Sequence, residues 1–488
     1  MPNRNAVTWN ALISSYVATR DPLTAVELFI KMLREGVPVT PFGVSAALVA
    51  CAQLQASAVG AQVQGLSLKA GLEFNVVVGS SLIDMHAKCE NMEDSRKVFD
   101  ELVDKNVVAW TSIISGYAHN KCPEKAMILI KEMSCSGLKA NYVTYNSLLS
   151  SFCCPDDLIH CKQIHSRVIQ EGLDSNAHLV TTFVIVYSEC GCTSEELHKI
   201  CSTVSEWDQI AWNAVIAGFS NLGIGEDALI CFSQMRQAGF AIDFFTFSSV
   251  LKALGNCSAL EEGKQIHALI FKTGYIINLY VQNGLVSMYA RCGKIDDAKK
   301  IFSSMDDHDV ISWNSLLTGC AQHGYGSEAI ELFEQMRWCG VEPNLTTYLT
   351  ALTACSHVGL LEKGLEYFDL MKSDEFLPPA KLEHYACVVD LYGRAGLLHE
   401  AEAFINRMPI EEGPSVYKAL LSACQVHGNR EIAARCVQKL VDLCPNDPAI
   451  YVLLANVLAT EGSWNDAARV RKLMCDKGVK KKPGHSWL

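Results

Sequence analysis

The sequence predicts an all-α fold, a right-handed α-solenoid (superhelix) of stacked helix–turn–helix repeats. Three observations predict it. Blocks of sequence recur at a spacing of 101 or 102 residues, each block divides into units of 35, 35 and 31 residues, and each unit carries two short helical apolar patterns.

The recurrence is clearest in four segments: 7–16 (VTWNALISSY), 108–117 (VAWTSIISGY), 210–219 (IAWNAVIAGF) and 311–320 (ISWNSLLTGC). Their tryptophans, Trp9, Trp110, Trp212 and Trp313, are separated by 101, 102 and 101 residues. A second set keeps the same beat at 61–72, 162–173 and 264–275, and a third at 79–89 and 282–292.

Residues 310–344 illustrate one unit. Ile311, Leu316, Leu317 and Cys320 mark a first helix, Gly324 and Gly326 a turn, and Ala329, Ile330, Leu332, Phe333 and Met336 a second helix ended by Gly340 and Pro343. One such hairpin cannot bury its own apolar stripe, so neighbouring units must stack into a continuous core. Twelve units fit between residues 6 and 412, with a largely polar inner face expected from the first helices.

Composition narrows the function classes. The chain has 488 residues, 49% of them hydrophobic, which argues against general disorder. It lacks an apolar run long enough for a membrane span. With 41 Lys+Arg against 53 Asp+Glu, the net charge of −12 excludes indiscriminate, charge-driven binding of nucleic acid. Any RNA or DNA must be bound selectively, with local positive charge.

The 21 cysteines are odd in number, and Met1-Pro2-Asn3-Arg4-Asn5 lacks the apolar core of a signal peptide, so reduced thiols are expected. The close pairs Cys153/Cys154 and Cys190/Cys192 are not C-x-x-C, which disfavours a zinc site. Neither a G-x-x-x-x-G-K-[ST] loop nor a G-x-S-x-G elbow occurs. No catalytic residue, metal site or cofactor is expected.

The 35/35/31 cadence, together with WNALISSY, KQIH, MHAKC/MYARC and the run 328–336, resembles the P-, L- and S-type units of plant pentatricopeptide repeat (PPR) proteins of the PLS subclass. Residues 413–488 resemble that subclass's E-type extension of two tetratricopeptide-like units, through ALLSACQVHGN (419–429), YVLLANVLA (451–459) and KKPGHSWL (481–488). Many relatives continue into a DYW-type cytidine deaminase domain, whose H-x-E and C-x-x-C zinc signature this sequence lacks. Met1 aligns with the end of a preceding S-type unit, so the organelle-targeting presequence and earlier repeats are expected to be missing. Localisation is therefore inferred from the family as mitochondrial, with the chloroplast as alternative.

The resemblance implies one base per unit, read by the fifth residue of the unit and its last. The P- and S-type pairs are Asn10/Thr40, Ser80/Asn106, Thr111/Asn141, Thr181/Asp208, Asn213/Asp243, Asn283/Asp309 and Asn314/Asn344. The unit with Thr181 runs one residue long, and the final S-type pair, Tyr385/Glu412, lies outside the code. Ionised Asp only accepts hydrogen bonds, which suits the ring N–H of guanine or uracil. Asn can also donate, which suits adenine or cytosine. A short Ser or Thr leaves room for a purine, whereas Asn reaches a pyrimidine. With N for unread L-type units, the implied target is 5′-Y-N-A-A-N-G-U-N-U-Y-N-N-3′. Second-position side chains Val77, Val108, Ile210, Tyr280 and Ile311 are placed to sandwich the bases.

A plainer account competes at the last position, because Asn or Asp just before a helix is a preferred N-cap. Asn75, Asn176 and Asn278 hold that place in L-type units, where the code is poorly obeyed. The fifth-position Asn, Thr and Ser are mediocre helix formers one turn into a helix, which favours recognition there. The tryptophans are expected to pack in the core. His165 and His267 recur at one repeat position and are expected to be structural. Lys472, Lys477, Lys480, Lys481 and Lys482 form a basic tail that either touches phosphate or an acidic partner, or is simply solvated.

The E-type resemblance implies a site-recognition factor for organellar C-to-U RNA editing that binds single-stranded organellar RNA. Its partners would be a DYW-type deaminase recruited in trans through residues 413–488, and multiple organellar RNA editing factors docked on the L-type units. The same scaffold would also suit splicing, RNA stability or translation. A protein-binding tetratricopeptide-like scaffold is disfavoured by the 35/35/31 cadence and the variable polar fifth residue.

Overall fold

The computed structural model describes residues 5–204, 207–444, 447–460 and 464–476. Among them are 28 α-helices, two short 3₁₀ turns and no strand. Residues 1–242 and 243–488 form two compact units, each of seven helix hairpins. Within each unit every first helix packs on the first helix of the next hairpin, and the second helices pack between first helices, except that Leu158–Gln170 lies mainly against the following one, Ala177–Glu189. The result is the two-layered solenoid packing that the repeat requires.

The hairpin of residues 310–344 forms helices Val310–Gln322 and Gly326–Trp338. Leu316, Leu317, Cys320, Ala329, Ile330, Phe333 and Met336 are buried. Ile311, the second residue of the first helix, is 55% exposed. Gly324 makes the turn with φ +84°, a left-handed conformation that glycine adopts without a Cβ penalty.

The tryptophans are core residues. Trp9, Trp110, Trp212 and Trp313 are buried, and Trp110 and Trp313 meet Phe99 and Phe302 edge-on at 4.8 Å. Glycine at one repeat position lets neighbouring first helices approach closely. A Cβ on Gly116 would lie 2.7 Å from Ala87 Cβ, and one on Gly319 would lie 2.4 Å from Ala290 Cβ.

One first helix is cut short. Tyr142–Leu149 has eight residues where its neighbours Val107–His119 and Ala177–Glu189 have 13. Beyond the stop Pro155 holds Cys154 in an extended conformation (φ −113°, ψ 153°), which turns the chain off the helix axis. Residues 414–476 continue the pattern with hairpins Pro414–His427/Arg430–Leu443 and Pro448–Thr460/Trp464–Asp476. The first of these is tied to the preceding repeat by a bidentate pair from Arg435 to Glu402, at 2.7 and 2.8 Å.

Among the described residues no helix is long and apolar enough to cross a membrane. Lys472 is exposed; Lys477, Lys480, Lys481, Lys482 and the segment 481–488 lie outside the described residues.

Candidate nucleic-acid interface

Each first helix needs a cap for its leading N–H groups, and the residue just before it supplies one. The last-position residues of the seven coded P- and S-type pairs are all such N-caps. Thr40 Oγ1 accepts from Gly43 N at 3.2 Å, Asn106 Oδ1 from Ala109 N at 2.9 Å, and Asn141 Oδ1 from Thr144 N at 3.0 Å. Asp208, Asp243, Asp309 and Asn344 do the same to Ala211, Thr246, Ser312 and Thr347, at 2.7 to 3.0 Å.

Capping does not exhaust these side chains. It consumes Oδ1, and because a backbone N–H demands an acceptor, the amide orientation follows. The second terminal atom is then a donor Nδ2 in Asn106, Asn141 and Asn344, and an acceptor Oδ2 in Asp208 and Asp309. Among the described residues none of these five atoms has a hydrogen-bond partner. Thr40 differs, since its single hydroxyl serves the cap and the pair together.

The pairs themselves are of three kinds. Three are directly bonded: Asn10 Nδ2 donates to Thr40 Oγ1 at 2.8 Å, Asn283 Nδ2 to Asp309 Oδ1 at 3.1 Å, and Asn314 Nδ2 to Asn344 Oδ1 at 3.3 Å. Thr111 is joined to Asn141 through Thr144, whose Oγ1 is 2.7 Å from Thr111 Oγ1 and 3.0 Å from Asn141 Oδ1. Ser80 and Thr181 instead donate to carbonyls of their own helices, Val76 O at 2.7 Å and Ala177 O at 2.8 Å. Asn213 lies on helix Gln209–Asn221 of the first unit, and Asp243 caps Phe244–Asn256 of the second.

Burial separates the two members of a pair. Ser80 and Asn283 are only 5% and 4% exposed, contrary to the expectation that both members line an open face. The last residues stand in front: Asn106, Asn141, Asp208 and Asn344 are exposed. Tyr385 and Glu412 also fall elsewhere than expected. Tyr385 is the buried fourth residue of helix Leu382–Arg394, the place of Trp313 in Val310–Gln322, and Glu412 is bonded to Tyr417. The longer connection 374–381 moved the register by one.

The last residues of three L-type units have a different backbone. Asn75, Asn176 and Asn278 have ψ of 119°, 113° and 123°, against 155° at Thr40 and 173° to −178° at the other six. Their N–H groups close tight turns onto Leu72 O, Leu173 O and Tyr275 O at 3.0–3.1 Å. In Asp243, Asp309 and Asn344 the same N–H donates to a hydroxyl, that of Thr246, Ser312 or Thr347, at 3.1–3.3 Å. The residue three places on tracks the difference: it is Val78, Leu179 or Val281 after these L-type units, but Gly43, Ala109, Thr144, Ala211, Thr246, Ser312 or Thr347 after the P- and S-type ones. All are buried. Sequence reasoning missed this third position, although the apolar-against-small contrast is visible in the sequence.

Apolar second residues stand exposed beside the pairs. Val77, Val108 and Ile210 are joined by Val7, Phe42 and Val143 in the first unit, with exposures from 40% at Val77 to 72% at Val7. Tyr280 and Ile311 are joined by Phe245 in the second. An open groove gathers Ile311, Asn314, Asn344, Thr346 and Arg291. Arg291 brings positive charge there, and burial, with that charge beside it, holds the nearby Lys252 ammonium below the usual lysine value.

His165 and His267 are structural. Their Nδ1 atoms lie 3.0 Å from the hydroxyls of Tyr187 and Tyr289, 22 residues on, where the preceding block has Gln64 Oε1 3.0 Å from His86 Nε2. Burial pushes all three histidines below their usual value. Cys153, Cys154 and Asp157 bring three potential metal ligands within 4.8 Å of one another. The carboxylate there already accepts the N–H of Cys153 and of Cys154, at 3.2 and 3.1 Å, which accounts for the cluster as a loop closure after the shortened helix.

The fold is similar to that of the pentatricopeptide repeat protein PPR10 from maize, with a TM-score of 0.59 and 18% identity over 98% of this chain and 75% of that one. A structure of PPR10 in complex with an 18-nt psaJ RNA element matches with the same TM-score at 20% identity. A chloroplastic pentatricopeptide repeat-containing protein of Arabidopsis thaliana is 35% identical over 491 residues, covering 100% of this chain and 60% of the relative. A mitochondrial one is 34% identical, covering 100% and 64%, and a third, a putative member from the same plant, is 35% identical, covering 100% and 80%. The chain thus spans less than two thirds of the length of the first two. The PPR repeat family model matches residues 105–154, 208–256 and 308–357, and the PPR repeat model matches 7–37, 80–107, 143–173, 283–310, 346–376 and 383–411. The E motif model matches 427–488. The chain therefore belongs to the pentatricopeptide repeat family, as a PLS-subclass member with an E-type extension.

Proposed function

We propose that this protein binds single-stranded RNA by sequence and serves as the site-recognition factor for a C-to-U editing event in an organelle, recruiting a DYW-type deaminase in trans. The observation that carries the reading is the divided use of the last-position side chains. One atom caps a helix, and the other, a donor in Asn and an acceptor in Asp, faces outward beside an exposed apolar residue. A base slotted between successive second-position side chains would meet that atom with its Watson–Crick edge.

A net charge of −12 leaves specificity to base edges, with Arg291 and Lys252 as local cationic contacts for the phosphate backbone. PPR10, which shares the fold, binds an 18-nt RNA element, and relatives named chloroplastic and mitochondrial support an organellar setting. We assign the mitochondrion, with the chloroplast as alternative. The 1–412 array would hold RNA and the 413–488 extension would engage the deaminase, while multiple organellar RNA editing factors would dock on the L-type units. The chain acts by binding, without catalysis of its own.

Gel-shift titration tests the binding with 5′-Y-N-A-A-N-G-U-N-U-Y-N-N-3′ against shuffled probes. Thr111→Asn should move the preference at the fourth nucleotide from adenine towards a pyrimidine, by about 1–3 kcal/mol. Equal affinity of both proteins for both probes would count against the reading. Editing is tested by comparing organellar cDNA with genomic DNA in a loss-of-function line. One unconverted cytidine is expected there, whereas altered splicing or transcript abundance with every cytidine converted would favour the splicing, stability or translation role.

A further inference from the structure

The third residue of a unit touches the pair in front of it. Ser312 shows the contact most fully: its Oγ lies 2.6 Å from Asn283 Oδ1 and 2.8 Å from Asp309 Oδ1, and it accepts from Asp309 N at 3.2 Å. Thr144 bridges Thr111 and Asn141, and Thr347 Oγ1 lies 3.0 Å from Asn344 Oδ1. Where the third residue is glycine the contact is steric, since a Cβ on Gly43 would fall 2.6 Å from Asn10 Oδ1. These hydroxyls are fully buried, so they act on RNA only through the pair.

We infer that the third residue of each unit is a positioning residue for base recognition. A hydroxyl-bearing side chain bonds the preceding Asn or Asp and fixes its outer atom, whereas a small one only leaves that residue room to stay extended. Where a bulky apolar one stands there, as at Val78, Leu179 and Val281, the N-cap N–H turns back onto the carbonyl three residues earlier and the unit is not read. This rests on the RNA-reading role proposed above and explains within it why Asn75, Asn176 and Asn278 cap their helices without joining the code.

At unit 279–309 the chemistry is specific. The hydroxyl has one proton and two lone pairs. With the proton on Asn283 Oδ1, the amide is held with Nδ2 towards Asp309 Oδ1, and that oxygen also takes Ser312 N at 2.8 Å. The carboxylate is thereby fixed in rotation, with Oδ2 outward as an acceptor. Such an acceptor takes the N3–H of uracil and repels the N3 lone pair of cytosine. Without the hydroxyl, Asn283 is free to turn its amide over and Asp309 N loses its acceptor.

The test uses the full chain and RNA probes differing only at the ninth nucleotide, U or C, with a second pair differing at the fourth, A or C. Ser312→Ala should lower the U-over-C preference at the ninth position by roughly tenfold. It should leave the fourth-position preference near that of the natural protein, and Ser312→Thr should restore the ninth. The inference is overturned if Ser312→Ala retains the natural U/C ratio, or if it lowers both preferences together, as a merely structural role would. A natural protein that discriminates at the fourth but not the ninth nucleotide overturns it while sparing the reading. No discrimination at either overturns both.

Discussion

Asn314 donates its side-chain amide to Asn344 Oδ1 at 3.3 Å, joining the fifth residue of one first helix to the N-cap of the next. That oxygen already accepts Thr347 N at 3.0 Å, so the Asn344 amide is orientationally fixed with Nδ2 outward. Stability and recognition are thus served by different atoms of one side chain. Selection for a cap, worth about 1 kcal/mol, and selection for a base contact do not compete.

Asn344→Asp isolates the second role. Asp caps a helix as well as Asn does, so the thermal midpoint should hold. The outward atom changes from donor to acceptor, and the preference at the tenth nucleotide should move towards uracil and away from cytosine by about 1–3 kcal/mol. Competition gel shifts with U and C probes read the change. A variant that loses affinity for both probes alike would mean that Asn344 serves stability alone.

Most of the fold was legible because a repeat declares itself by periodicity, and caps because they are local chemistry in adjacent residues. Departures arise where a local irregularity changes the count. One first helix stops after eight residues, and the connection 374–381 displaced Tyr385 from the fifth place to the buried fourth. The candidate site was legible as a set of positions, but which members are linked was not. Ser80 and Thr181 could satisfy their hydroxyls within their own helices, and nothing in residue type distinguishes them from Thr111, which bonds to Thr144. The third-position contrast between Val281 and Ser312 gains meaning only once the buried hydroxyl is seen between Asn283 and Asp309.

Close helix approach makes a second prediction. Ala in a helix interior is ordinarily favoured over Gly by roughly 0.5–1 kcal/mol. At Gly319 a new Cβ would lie 2.4 Å from Ala290 Cβ and 3.3 Å from Ala290 Cα, so helices Leu279–Arg291 and Val310–Gln322 must move apart. Overpacking of this kind costs about 1–3 kcal/mol, which outweighs the propensity gain. Gly319→Ala should lower the denaturation midpoint, and Ala290→Gly in the same chain should recover part of the loss. A midpoint raised by Gly319→Ala alone would show that the helices separate without penalty.

The buried histidines make acid conditions unfavourable before the carboxylates titrate. Folding depresses the His86, His165 and His267 values, chiefly by desolvation, while unfolded histidine titrates near pH 6.5. Between 6.5 and the lower folded values the unfolded chain therefore binds more protons, so stability is full above about pH 6.5 and declines as pH falls through that window. Gln64 shows that glutamine is accommodated at this repeat position, 3.0 Å from its partner ring. The double variant His165→Gln, His267→Gln should match the natural protein's thermal midpoint at pH 7.5, because glutamine can still bond the hydroxyls of Tyr187 and Tyr289. Between pH 7 and 5.5 its midpoint should fall less steeply, with the remaining slope owed in part to His86. Parallel curves for the two proteins across that range would place the acid sensitivity elsewhere.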